Sequence, residues 1–245
     1  MHVVRFDVAL AVSTVLCACA CARGDTPAPV ASPAAKPAEP AASACAADEL
    51  PPLDMNMKKM YRDCRSTEEA CRAACDRDEV DACFGLALAE EERARASGVT
   101  DDRAAPANAL YRKACSLGAA NACTNHAAHL WAFSESRADL ACAVRLFEAT
   151  CEVDDHFGCG MAGRILLDHA EGPDDEDVSR ARALLERSCA QLGGFPCRIL
   201  ALNLERGRLG PVPDGRVVEL MRRACDGGDH GACGAHATVE ESFGP

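Results

Sequence analysis

Seventeen of the 245 residues are cysteine, and ten of them fall into five pairs with the same spacing. Cys75/Cys83, Cys115/Cys123, Cys151/Cys159, Cys189/Cys197 and Cys225/Cys233 each place the second sulfur eight positions after the first. Paired thiols can hold a metal or oxidise to a disulfide. Structural zinc favours knuckles of two to four intervening residues with a second pair close by, and these pairs have seven, so the spacing points to disulfides. So much thiol is incompatible with a reducing cytosol, and the chain is expected where disulfides persist. The C-terminal part also carries His126, His129, His156, His169, His230 and His236. His126 and His129 stand three apart on a predicted helix and could share a metal, but packing histidines are the commoner reading. His156 and His230 occupy the same turn position in two units. The D-x-D-x-D-G register of a calcium loop is absent, and neither metal nor cofactor is expected.

The elements that must position the sulfurs repeat with them. First members of successive pairs are separated by 40, 36, 38 and 36 residues, a period typical of helix-pair solenoids. Five residues before the first Cys stand Ala70, Leu110, Leu146, Leu184 and Leu220; four before it, Cys71, Tyr111, Phe147, Leu185 and Met221; eight before it, Thr67, Ala107, Ala143, Ala181 and Val217. Those offsets share one face of a helix. Four residues after the second Cys the column is uniformly small (Ala87, Ala127, Gly163, Ala201, Ala237), which suits a second helix crossing closely. An antiparallel pair joined by a short turn brings the two cysteines within disulfide reach, about 5.5–6 Å between Cα atoms. Acids in the turns (Asp76, Asp78, Asp154, Asp155, Asp174, Asp175, Asp177) suit helix N-termini.

Composition agrees with stacked helices. Apolar residues make up 49% of the chain and aromatics only 4%, so the apolar mass is mostly Ala, Leu and Cys rather than the fill of a sheet sandwich. A net charge of -12 argues against nucleic-acid binding, which needs a basic surface. Within this acidic protein the first helices carry a locally basic stripe of Arg72, Arg112, Lys113, Arg187, Arg222 and Arg223. The stripe is a candidate contact for an unidentified protein or an acidic, carboxylate-bearing peptide. Its plain alternative is a solvated face whose Arg stems cover apolar neighbours.

Val8 to Ala18 is an apolar run of eleven residues preceded by Arg5, too short for a permanent span and suited to an export signal. Leu16, Cys17 and Ala18 before Cys19 look like a bacterial lipobox. Residues 1–18 are therefore expected to be a signal peptide, with Cys19 lipidated and Cys21 the weaker register; a plain secretory cut is the alternative. With Ala20 following Cys19, the resemblance implies an outer-membrane lipoprotein facing the periplasm or cell surface, membrane-bound through its lipid alone. Residues 19–47 are Pro/Ala-rich and are expected to form a disordered tether, having too little apolar surface to offset ordering entropy.

Ala107, the run Leu110 to Cys115, the C-x7-C spacing and the small residue beyond it resemble Sel1-like repeats of the disulfide-bearing kind found in Helicobacter cysteine-rich proteins. The likeness extends from Cys64 to Gly244. It implies an all-α, right-handed superhelical solenoid of α/α helix-pair repeats, one disulfide per repeat. Residues 48–245 would form five units, about 64–100, 104–139, 140–177, 178–213 and 214–245. The chain departs from the pattern at Cys71, which replaces an aromatic, and at His126, Ala162 and His236, where Leu86 and Leu200 are apolar. Members of that family have been described as β-lactamases or penicillin-binding proteins, so a β-lactam-binding or weakly hydrolysing enzyme is the alternative function. None of Lys36, Lys58, Lys59 and Lys113 has a Ser three residues before it or a Thr-Gly after it, so the serine mechanism lacks its parts and no catalytic residue is assigned. The leading expectation is an envelope scaffold that binds a protein or peptide. Ser66 and Glu69 form a capping-box pattern. A Cys64–Cys71 bridge would fasten a lead-in segment there, since one continuous helix would hold the two about 10.5 Å apart, too far to bond. Cys21, Cys45 and Cys142 leave an odd count, hence a free or intermolecular thiol.

Overall fold

The computed structural model describes residues 45, 50–55, 62–97, 105–134, 136–172 and 174–234. They form successive helix pairs: α1 (Glu68–Asp76) with α2 (Val80–Ala96), α3 (Ala105–Ser116) with α4 (Ala120–Phe133), α5 (Arg137–Glu152) with α6 (His156–His169), and α7 (Glu176–Leu192) with α8 (Gly194–Glu205). Then α9 (Arg216–Asp226) is followed by a helical turn over 230–234. Each helix packs on the next in sequence, as in a solenoid. The signal, Cys19, Cys21, Lys36, Lys58, Lys59 and His236 lie outside the described residues.

The turn inside each pair is built one way. The residue three past the first Cys is left-handed in four units: Asp78 (φ 63°), Gly118 (98°), Asp154 (64°) and Gly228 (88°). Gly, and Asp with its short polar side chain, tolerate that conformation. The next amide then folds back onto the carbonyl just before the Cys, from Glu79 to Ala74, Ala119 to Ala114, Asp155 to Thr150 and Asp229 to Ala224, at 3.0–3.1 Å, satisfying orphaned helix-end carbonyls. In the fourth unit α7 runs on to Leu192, and Gly193 (φ 64°) takes the corner. Asp155 and Asp175 cap α6 and α7 through their side chains. Thr67 precedes α1 and its hydroxyl donates to the Asp63 carbonyl. The expected Ser66–Glu69 capping box is therefore not formed, because the chain enters the helix one residue later.

The aligned first-helix positions make the core: Ala107, Tyr111, Ala143, Phe147, Leu185, Leu220 and Met221 are all buried. The small column marks the closest helix crossings. A Cβ on Gly163 would lie 2.8 Å from Leu185 Cγ and 2.9 Å from the Ala181 carbonyl of α7. Gly163→Ala gains about 1 kcal/mol of helix propensity but must push a neighbouring backbone aside. Its expected net effect is a loss of about 1–3 kcal/mol, read as a lower urea midpoint; an unchanged midpoint would contradict so close an approach.

The lead-in segment follows the solenoid backwards. Cys45 is bonded to Cys142 of α5. Asp54 then pairs with the α3–α4 turn, its amide donating to the Gly118 carbonyl (2.9 Å) and its carbonyl accepting from Ala120 (3.3 Å). Further on, the Arg62 amide donates to the Asp81 carbonyl and its guanidinium pairs with Glu79 and Asp81, before Cys64 bonds Cys71. The strap thus passes from the third unit to the second and then the first. This corrects two expectations. Cys45 and Cys142 are partners rather than surplus thiols, because the strap brings residues 97 apart in sequence to a Cα distance of 5.2 Å. The tether expected to reach residue 47 is already fastened at Cys45.

Candidate binding groove

All five C-x7-C pairs are disulfides: Cys75–Cys83, Cys115–Cys123, Cys151–Cys159, Cys189–Cys197 and Cys225–Cys233, with Cα separations of 4.6–4.8 Å. These are closer than the commonest 5.5–6 Å because the tight turn sets the last turn of one helix directly against the first turn of the next. They sit where the helix-pair spacing expects them, on facing helix turns either side of the connection. Cys83, Cys123, Cys159 and Cys197 are wholly buried, each at 0% exposure, so they are part of the core and offer no accessible site. The reason is helical phase. Each is the fourth residue of its helix, α2, α4, α6 or α8, one turn in and facing the first helix of its own unit. In the last unit Cys233 is only half-buried. Cys64–Cys71 and Cys45–Cys142 bring the total among the described residues to seven bridges. Such a chain requires an oxidising compartment. No described helix is long and apolar enough to cross a membrane.

The first-helix cations are mostly engaged. Arg72 pairs with Glu68 and Glu90, Arg187 with Glu152 and Asp154, and Arg222 with Asp226. Lys113 donates to the Cys75 carbonyl (2.7 Å) and pairs with Asp78 (3.0 Å), while Arg223 donates to the Ala190 carbonyl. Lys113, Arg187 and Arg223 share one repeat position, two before the first Cys, and each reaches back to the C-terminal end of the preceding first helix, where a cation is favoured. Sequence columns restricted to apolar positions did not include this ladder, although the position two before each first Cys carries the signal. Arg112 is exposed on α3.

A groove of about 400 Å³ lies instead across the second helices and spans three units. Phe84 and Leu88 of α2 form one wall and Phe157 of α6 the other, with Asn121, Thr124 and Asn125 of α4 between them. Asp155, only 6% exposed, sits at the α6 end. One of its carboxylate oxygens accepts from the Phe157 amide (3.2 Å) and the other from the Thr124 hydroxyl. Phe157 is 43% exposed and meets Phe195 of α8 edge-on at 5.5 Å. The Asn121 Nδ2 is buried with no hydrogen-bond partner among the described residues. Asn121 and Phe157 were missed in the sequence because their shared column, two before the second Cys (Asp81, Asn121, Phe157, Phe195, Gly231), is chemically uneven. Beside uniform columns, such unevenness is itself the mark of a position facing outward rather than into the core.

Beneath the groove, the Tyr111 hydroxyl donates to Glu91; burial and that carboxylate push it above the ordinary phenol range. His126 is buried with Nδ1 2.6 Å from Asn108 Oδ1. Desolvation, with Arg112 nearby, pulls its pKa down to about 4. His129 is lowered by burial too. No group of three or more potential metal ligands occurs among the described residues. Because His126 is harder to protonate folded than unfolded, stability is full above about pH 6.5 and falls as pH drops towards 4, by at most about 1.4 kcal/mol per unit. Denaturation midpoints measured across that window should flatten in His126→Gln, and an equal slope in both proteins would rule His126 out as the source.

No protein-family profile and no curated protein matches the chain. Solved structures do. A Sel1 repeat protein from Oxalobacter formigenes superposes with a TM-score of 0.60 at 16% identity, covering 74% of this chain and 70% of that one. The fold is the Sel1-like repeat fold. A second Sel1-like neighbour, a protective antigen present in uropathogenic Escherichia coli strains displaying an SLR fold, aligns with a TM-score of 0.59 at 15% identity over 71% of this chain. The chain spans 36% of that protein's length. A Sel1-like solenoid offers an extended surface of repeated helices, an architecture suited to protein interaction. On this Sel1-like fold one cleft of that surface lies between α2, α4 and α6.

Proposed function

We propose that the protein is an exported binding scaffold whose partner, a protein or peptide, docks across the second-helix groove in the bacterial envelope. The observation that carries this reading is the groove itself, a cleft spanning three covalently stapled units with an exposed aromatic wall and an orphaned amide. Three disulfides, Cys75–Cys83, Cys115–Cys123 and Cys151–Cys159, fix α2, α4 and α6 to the first helices of their units, so little order has to be gained on binding. Lipidation at Cys19 would hold the scaffold at the outer membrane. A Cys19→Ala chain that remained in the membrane fraction would remove the anchor from the proposal.

Capture from envelope extract on the immobilised mature chain is the test. Phe157→Ala, at an exposed position, should release the partner, whereas Arg112→Glu and Arg222→Glu should retain it. Loss only in the two Arg variants would move the binding face to the basic stripe of Arg72, Arg112, Lys113, Arg187, Arg222 and Arg223. Capture no different from that of an unrelated solenoid would sink the scaffold reading.

A further inference from the structure

We propose that the Cys45–Cys142 bond is a reducible latch: a dithiol opens it while the buried bridges stay closed, and the freed strap then leaves the α3–α4 turn and uncaps α4. Because α4 lines the groove, the consequence for binding rests on the reading of the groove as the binding face. Accessibility singles the bond out. Both residues of the Cys64–Cys71 bridge and of the first four repeat bridges are at most 2% exposed. Cys45 is half-buried and its partner Cys142 fully buried, so a thiolate meets the latch at the Cys45 sulfur. Cys225 and Cys233 are half-buried as well, but their bridge closes only the turn of the last unit.

The exchange balances with the dithiol alone. One of its thiolates attacks Cys45 Sγ, forming a mixed disulfide as the Cys45–Cys142 bond breaks and Cys142 leaves as a thiolate. The second thiol of the reagent attacks the mixed disulfide and releases Cys45. The dithiol is thereby oxidised by two electrons to its own disulfide, and its two protons end on Cys45 and Cys142.

What the strap holds sets the consequence. α4 begins at Ala120 with Ala119 as its N-cap, which makes no side-chain hydrogen bond, whereas α6 has the Asp155 carboxylate. The strap supplies the acceptor that α4 lacks, since the Asp54 carbonyl takes the Ala120 amide. Gly118 makes room for it: a Cβ there would lie 3.1 Å from the Pro52 carbonyl oxygen. Leu50 and Leu53 pack against the core. Without the sulfur bond, such contacts alone must offset the entropy of ordering the strap. An orphaned amide at a helix start is destabilising. Asn121, Thr124 and Asn125, on the first two turns of α4, line the groove, so opening the latch loosens the groove from the start of α4.

The test treats the folded mature chain with dithiothreitol at rising concentration, quenches with an alkylating agent and maps the labelled cysteines by mass spectrometry. Cys45 and Cys142 should be labelled at a concentration at least about tenfold below that which labels Cys115 and Cys123, which open only with the fold. Hydrogen exchange on chains opened at the latch should show the Asp54 and Ala120 amides exchanging at least about fivefold faster, the effect of a lost helix cap, with the α6 amides unchanged. Reoxidation should restore them. A latch that opens no earlier than the buried bridges would overturn the proposal, as would an opened latch with Asp54 and Ala120 still protected. Capture of the envelope partner should weaken about fivefold on opening and return on reoxidation; capture indifferent to the latch would overturn its control of the groove. Labelling and exchange need no partner, so a lack of Phe157-dependent capture by the oxidised chain would remove the scaffold reading and leave the latch standing.

Discussion

Complete reduction and alkylation in denaturant, followed by removal of the denaturant, should leave this protein without helical circular dichroism at room temperature. The denaturant is needed because Cys83, Cys123, Cys159 and Cys197 are wholly buried and a reductant reaches them only in an opened chain. Each C-x7-C bridge closes a loop of about nine residues, for which chain entropy gives roughly 2.5 kcal/mol. Five such bridges amount to about 12 kcal/mol if additive, comparable with the whole stability of an ordinary domain, about 5–15 kcal/mol. The core has little in reserve, since much of it is Ala and the cystines themselves: Ala82, Ala87, Ala107, Ala122, Ala127, Ala143 and Ala201 are fully buried. Methyl groups bury too little area to replace lost cross-links. A reduced, alkylated chain that regained its helicity and melted cooperatively would mean that packing, not sulfur, maintains the units.

The largest effect of a single bridge is expected at Cys45–Cys142. Its sequence separation of 97 corresponds to about 4.7 kcal/mol in the same entropy relation, nearly twice that of a repeat bridge. Replacing both residues with alanine should lower the thermal midpoint by on the order of 10 °C and deprotect the Asp54 and Ala120 amides, which tie the strap to the α3–α4 turn. Double replacement avoids a stray thiol. Removing Cys225 and Cys233 together provides the short-loop comparison. Equal midpoint losses in the two double variants would show that the strap adds nothing beyond a local bond.

Most of the repeat architecture was legible in the sequence because it is written at fixed intervals. The columns around Cys115 or Cys151 alone predict a buried face, a turn and a second helix, and Tyr111, Phe147 and Leu185 fill it as their spacing requires. Spacing also paired Cys83, Cys123, Cys159 and Cys197 with their partners, but not their depth, which depends on where each second helix begins. What occurs once was not legible. The Cys45–Cys142 bond depends on where an irregular strap turns, and no periodicity reports that. The basic stripe was visible as charge, but Lys113, Arg187 and Arg223 are occupied by helix ends of the preceding unit, partners that a one-dimensional alignment does not bring together. The groove was hidden for a related reason: Phe84, Asn121 and Phe157 come from three units, Phe84 from a different repeat position than the other two, and only stacking makes them neighbours.

The strap has a mechanical consequence. Tension that reaches Cys45 crosses one sulfur–sulfur bond directly into α5. Residues 46 to 141 lie inside that covalent ring, so α1 to α4 are bypassed by the force. A chain tugged by its leading end against a load at its tail would yield first beyond Cys142, while two of the three helices bordering the cleft stay out of the line of pull.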